Sequence, residues 1–261
     1  MLVRSMRALA KGPPAYRAAS PWPPLWAAGA AAAIVLTAVL AANFTVKAMP
    51  LAVHWPVHPG TSAGPRTPEA DAFALAIWLF TLHATIIGLV LMLAGWFGGR
   101  RWVVLGLAPP LPSAGTLGAA FALMLLVLLP YNAVVLTLAR ETVEQDLKPF
   151  MRLLRSDAGW LFAILIGIGA PLSEELLFRG FLLGALSRTY LGFFGATLVT
   201  TLAWTALHAG YSGFGLVEVF VAGLFFCWIL WRTGSLWPPL FCHTLYNSSI
   251  MAILSMAPLP S

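Results

Sequence analysis

GWLFAILIGIGAPLSEELLFRGFLLGAL, residues 159–186, is long and apolar enough to cross a bilayer, which takes about 20 residues as a helix. Its centre nevertheless carries Glu174, Glu175 and Arg179. An ionisable side chain at the middle of a membrane helix costs about 2.5–3.5 kcal/mol on insertion scales, so its presence there defaults to function. The whole chain has only nine acidic residues, and two of them stand side by side at this point.

The surrounding sequence explains why a membrane is the solvent. The chain has 261 residues, of which 60% are hydrophobic and 9% charged, with a mean hydropathy of +0.86. A soluble domain carries about a quarter charged residues. The apolar residues cluster into runs at about 26–47, 72–97, 115–139, 159–186, 191–209, 215–231 and 237–257. These runs do not alternate with period two, and lipid-facing backbone must be bonded internally, so helices are expected rather than strands. The sequence therefore predicts an all-α, polytopic transmembrane bundle of about seven spans, six to eight. Residues 140–157 (RETVEQDLKPFMRLLRSD) interleave apolar and charged residues, which predicts an amphipathic helix along the interface. Lys148–Pro149 is expected to kink or split it. The chain divides on this reading into an N-terminal region, 1–158, and a core, 159–261.

The formal net charge of +6 resides in short segments between the runs. Arg4, Arg7, Lys11 and Arg17 precede the first run without an acid among them, and that run exceeds the apolar core of a signal peptide, about 7–15 residues. It reads as a retained span with its N-terminus in the cytoplasm, in the cell (inner or plasma) membrane. Arg100, Arg101, Arg188 and Arg232 then fall on the same side, while Lys47, Arg66 and the four basic residues of 140–155 fall on the other, the last group against the positive-inside rule. Basic residues placed this way report topology beside anionic lipid and argue against a nucleic-acid partner. Cys227 and Cys242 lie inside apolar runs and read as small buried hydrophobes. His54 and His58 stand in a Pro-rich loop and read as solvated rather than metal-binding. Gly180 and Gly184 fit small-residue helix packing, and His83 reads as bonding to a neighbouring helix. Nothing in the sequence sets an oligomeric state.

Glu175 and Arg179 are four apart, share a helix face and are expected to pair. Glu174, rotated about 100° from its neighbour, is left without a local cation, which suits a general base acting on water. His243 and Asn247, also four apart, present two donors suited to an oxyanion. His208 ends the fifth run and is placed to polarise the same water, and Glu218 is a secondary candidate for lining the cavity. One difficulty is geometric. His208 lies about 25 Å along its run at 1.5 Å per residue, while His243 is near the start of its own. Strict alternation places them at opposite depths, so a tilt or break is required, and Pro171 is a candidate.

These residues also form three ordered motifs. EELLFR (174–179), WTALH (204–208) and HTLYN (243–247) resemble the EExxxR, FxxxH and HxxxN motifs of the CPBP family of intramembrane proteases (CAAX proteases and bacteriocin-processing enzymes). The resemblance covers about residues 159–257. It implies a glutamate-dependent endopeptidase with Glu174 activating water, His208 assisting, His243 and Asn247 stabilising the oxyanion, and Glu175 and Arg179 holding the first motif. Trp204 replaces the family's phenylalanine and is expected to alter packing beneath His208 rather than chemistry. The resemblance further implies a membrane-associated substrate: a prenylated CAAX tail, a bacteriocin leader or a C-terminal sorting tail. The Ala-, Pro- and Arg-leaning composition favours the bacterial substrates. The competing readings are a proton-coupled transporter, for which no internal repeat is visible, and a non-catalytic scaffold or immunity-type protein. Glu174, His208 and His243 match a zinc ligand set in type, but HExxH is absent and the metal would consume the carboxylate that must activate water, so no cofactor is expected.

Overall fold

The computed structural model describes residues 2–52 and 68–258; His54, His58 and Arg66 lie outside the described residues. Ten helices follow one another in these segments, with no strand. They are α1 (Leu2–Lys11), α2 (Pro24–Ala52), α3 (Pro68–Leu93), α4 (Arg101–Val104) and α5 (Ala114–Leu138), followed by α6 (Arg140–Leu154), α7 (Gly159–Leu186), α8 (Gly192–Ala206), α9 (Gly213–Thr233) and α10 (Trp237–Met256). All seven apolar runs are helical. Five of them, in α2, α3, α5, α7 and α9, are long and apolar enough to cross a bilayer. The other two are α8, with 15 residues, and the more polar α10.

Small residues of α2 let it approach its neighbours closely: Ala27, Ala31, Ala38 and Ala42 are buried at helical spacing. Ala72 and Ala76 of α3 are buried instead against Ala158 and against Phe162 and Leu165 of α7. Side-chain bonds tie residues before 159 to those after it. Tyr131 Oη donates to Phe214 O at 2.7 Å, Asn132 Nδ2 donates to Glu218 Oε1 at 2.9 Å, and Trp22 meets Phe181 edge-on at 5.0 Å.

α6 is amphipathic as expected, with Met151 buried against Met251 and Leu254. Of the expected kink or split at Pro149, the split does not occur, since the helix runs through it. The bond that proline removes would end on the Gln145 carbonyl, and both residues are on the exposed side, where water or lipid headgroups satisfy the oxygen.

The basic segments expected to share one side do meet at one end of the bundle. Arg232 donates to the carbonyls of Leu9 and Gly12, and Arg188 to that of Ser20. Backbone bonds from Ala15 and Tyr16 to Trp231 O, 3.2 and 3.1 Å, seat the N-terminal segment over this end. Gly234 closes α9 in the left-handed region (φ 64°) with Ala15 O against it, so a side chain there would meet both backbone strain and a clash.

Candidate active site

α7 is one continuous helix that widens twice into π geometry, at Leu165–Gly169 and Glu175–Leu182. Pro171 does not break it, although it cannot donate to the carbonyls four and five residues back, those of Gly167 and Ile166, the second being the acceptor in π geometry. α10 supplies the missing donors: Ser248 Oγ bonds Gly167 O at 3.3 Å and Asn247 Nδ2 bonds Ile166 O at 3.2 Å. Gly167 permits this approach, since a Cβ there would lie 2.8 Å from Ser248 Oγ. Wide turns of this kind concentrate at functional sites, and Glu174 stands between the two.

The depth difficulty is resolved by two features. First, Glu174 lies as far before the Leu186 end of α7 as Trp204 lies beyond the Gly192 start of α8, so the short α8 returns its motif to the level of Glu174. Second, α10 starts below the bundle face. Leu236 is fully buried, donates to Gly106 O at 2.8 Å and packs on Gly180, whose Cβ would be 3.4 Å from Leu236 Cδ2. It is about two turns from Gly180 back to Glu174 and about two from Leu236 on to His243, which brings them level. Gly180 thus packs against a loop and a helix start rather than a second helix.

The two glutamates occupy different environments. Glu175 and Arg179 are fully buried and paired at 2.9 Å, and His243 Nδ1–H donates to the same Glu175 oxygen at 2.9 Å. Arg179 lies over Trp204, its Cζ 4.3 Å from the ring centroid, and 5.4 Å from that of Phe226, while His243 stacks on Phe226 at 4.7 Å. Glu174 keeps 19% of its side chain exposed, with Oε2 accepting from Trp204 Nε1–H at 2.7 Å and lying 3.9 Å from His243 Nε2. Trp204 therefore does more than pack beneath His208. Gly223 of α9 makes room for this cluster: a Cβ there would lie 2.7 Å from Thr201 Cγ2 and 3.0 Å from both Arg179 Nη2 and Trp204 Cε3. Gly223→Ala is expected to destabilise the protein by about 1–3 kcal/mol, the cost of overpacking, read as a lower melting temperature in detergent. An unchanged melting temperature would show that the cluster relaxes.

The remaining candidates are placed differently. His208 is half-buried just beyond α8, its Nδ1–H donating to Trp204 O at 3.0 Å and its ring 5.1 Å from the Trp204 ring. Asn247 is engaged with Ile166 O, towards the opposite end of α7 from Arg179. Glu218 accepts from Asn132 and Tyr246. Cys227 and Cys242 are free and buried. Among the described residues no group of three or more His, Cys, Asp or Glu is arranged to hold a metal ion.

Three contributors were not singled out by the sequence motifs. Ser173 Oγ donates to Ala170 O and accepts from His83 Nδ1–H at 2.9 Å, so α3 steadies the residue before Glu174. The expectation that His83 bonds a neighbouring helix thereby acquires its partner. Phe226 provides the stacking surface for His243. Asp146 of α6 accepts from Ser212 N at 3.0 Å and Ser212 Oγ at 2.6 Å, fixing the loop that carries His208 and Tyr211. Burial pushes the Tyr211 phenol up to about 12, and the negative charges of Glu174, Asp146 and Glu218 add to the effect. The four-residue spacing of His243 and Asn247 is visible in sequence, whereas cross-helix partners such as these carry no local signal.

Fold and site define a multi-pass helical membrane protein with a carboxylate–imidazole cluster clasped between α7, α8 and α10. Residues 156–249, which contain all three motifs, match the family model described as type II CAAX prenyl endopeptidase Rce1-like. Over 173 residues the chain is 32% identical to an Escherichia coli protein named only "Uncharacterized 24.3 kDa protein", covering 64% of this chain and 76% of that one. Over 98 residues it is 30% identical to the "Putative membrane peptidase YdiL" of Bacillus subtilis (strain 168), covering 38% of each. No solved structure matches. The chain belongs to the Rce1-like CAAX protease family, a family of membrane proteases.

Proposed function

We propose that this protein is an intramembrane endopeptidase of the glutamate type, with residues 159–261 as its catalytic core. The observation that carries the reading is the contrast between adjacent carboxylates: Glu175 sealed by Arg179 and His243, Glu174 partly exposed beside His243 Nε2. Glu174 takes a proton from water as the water oxygen bonds to the scissile carbonyl carbon. His208 orients that water through its Nε2, since Nδ1 is occupied by Trp204 O. The oxyanion receives hydrogen bonds from the Nε2 side of His243, whose ring is held through Nδ1 by Glu175, and from the second N–H of Asn247. When the C–N bond breaks, Glu174 returns its proton to the leaving amine.

The substrate is a peptide presented at the membrane, and the family description makes a prenylated C-terminal tail the first class to test. The end of the bundle rich in arginine faces the cytoplasm on this reading. Terminal-peptide mapping of membranes from cells with and without the protein is expected to reveal new protein termini that depend on it; identical termini would refute the reading. Cleavage in purified membranes is also expected to survive phenanthroline, because the carboxylate itself activates water. Loss of activity with phenanthroline and its return with zinc would replace this mechanism by a metal-dependent one.

A further inference from the structure

We infer that Trp204 is a positioning residue for Glu174: its indole N–H fixes Oε2 of the carboxylate and turns Oε1 to the reacting water. The inference rests on the glutamate chemistry proposed above and adds a part that the phenylalanine of the resembled motif cannot play, since phenylalanine has no donor.

The geometry leaves the indole little freedom. Trp204 is 3% exposed. The Arg179 guanidinium lies 4.3 Å over its ring, and the rings of His208, His243 and Phe226 stand steeply against it at 5.1, 5.5 and 6.0 Å. Its N–H is therefore aimed by packing on several sides. Indole donates only, so the 2.7 Å contact with Glu174 Oε2 has one polarity, and its length is that of a charge-assisted bond. Among the described residues no other hydrogen bond reaches this carboxylate, because His243 Nε2 at 3.9 Å is beyond bonding range. The cation over the ring face draws on its π electrons and favours donation from the ring edge. Glu175 and Arg179 thereby reach Glu174 through the tryptophan: the structural pair positions the cation, the cation seats the indole, and the indole holds the base.

The bond has a direct spectroscopic test. The chain contains eleven tryptophans. In protein labelled with [15N]indole and purified in detergent micelles, Trp204→Phe removes one N–H signal and so assigns it. That signal is expected to shift in Glu174→Gln more than the other ten do. A Trp204 signal that ignores Glu174→Gln overturns the inference, whatever the enzyme cleaves.

A second readout separates positioning from packing. Phenylalanine keeps a ring beneath Arg179, so Trp204→Phe should leave KM unchanged and, through the buried volume and the hydrogen bond it gives up, lower the melting temperature modestly. Losing the donor to Glu174 should lower kcat by about tenfold, measured on the peptide identified by terminal mapping. The titratable or charged groups facing Glu174 are His243 from α10, His83 from α3 behind Ser173, His208 and Tyr211 from the end of α8 and its loop, and Glu175 and Arg179 on α7. All are retained in Trp204→Phe, so a fall in kcat at unchanged KM reports the lost donor. Unchanged kcat would reduce Trp204 to packing. Retained turnover in Glu174→Gln would instead sink the protease mechanism and leave the indole result to be judged separately.

Discussion

Glu174→Gln lowers turnover by about 10²–10⁴-fold, the contribution expected of a positioned acid–base group, while leaving the protein folded and inserted. The amide is isosteric with the carboxylate and its oxygen still accepts from Trp204 Nε1–H, so the packing around it survives. What it loses is the capacity to take a proton from water. The partial exposure of the side chain, 19%, means that no buried charge is created or stranded by the change. KM should move little, since the interaction removed is made in the transition state. Glu174→Asp is an informative companion: it keeps the base but withdraws it by one methylene from Trp204, so it should retain part of the activity. The measurement is steady-state cleavage of the mapped peptide beside a melting curve in the same detergent. Full activity in Glu174→Gln would sink the mechanism. Proton flux into liposomes that depends on Glu174, without peptide cleavage, would favour a transporter.

The helices were legible because lipid leaves one choice to the backbone: an apolar run of about 20 residues must satisfy its own hydrogen bonds. The Glu175–Arg179 pair was equally legible, since it follows from helix periodicity alone, and the structure shows it at 2.9 Å. What periodicity cannot express is which helix lies opposite. Asn247 shares a face with His243, yet the two reach different parts of α7, because Pro171 frees a carbonyl one way and Glu175 draws the imidazole the other. The depth of His243 depends on where α10 begins, and that is set by Leu236 and Gly106, residues unremarkable in sequence. Trp204 is the clearest case. Its ring was visible as an aromatic in a motif position, but the direction of its N–H is a property of the four side chains packed around it.

Arg179→Met destabilises the fold by about 3–5 kcal/mol, because it leaves a carboxylate buried without its cation. Both partners are fully buried, and the same Glu175 oxygen that accepts from Arg179 also accepts from His243. Methionine fills much of the volume between Trp204 and Phe226, so the loss reports charge more than cavity. The double variant Glu175→Gln, Arg179→Met removes both charges and should recover most of the stability, as buried pairs replaced by neutral residues often do. Its activity should not recover. The amide oxygen introduced at position 175 still receives His243 Nδ1–H, but through a weaker neutral hydrogen bond that holds the ring less firmly, and Trp204 has lost the cation over its face. Stability and turnover therefore separate in the double variant, and a double-mutant cycle on melting and cleavage together measures that separation. If Arg179→Met alone melts like the wild type, the pair does not hold α7, and the sealed environment of Glu175 needs another cause. If the double variant regains both stability and turnover, the charge on Glu175 serves the fold only, and His243 acts without it.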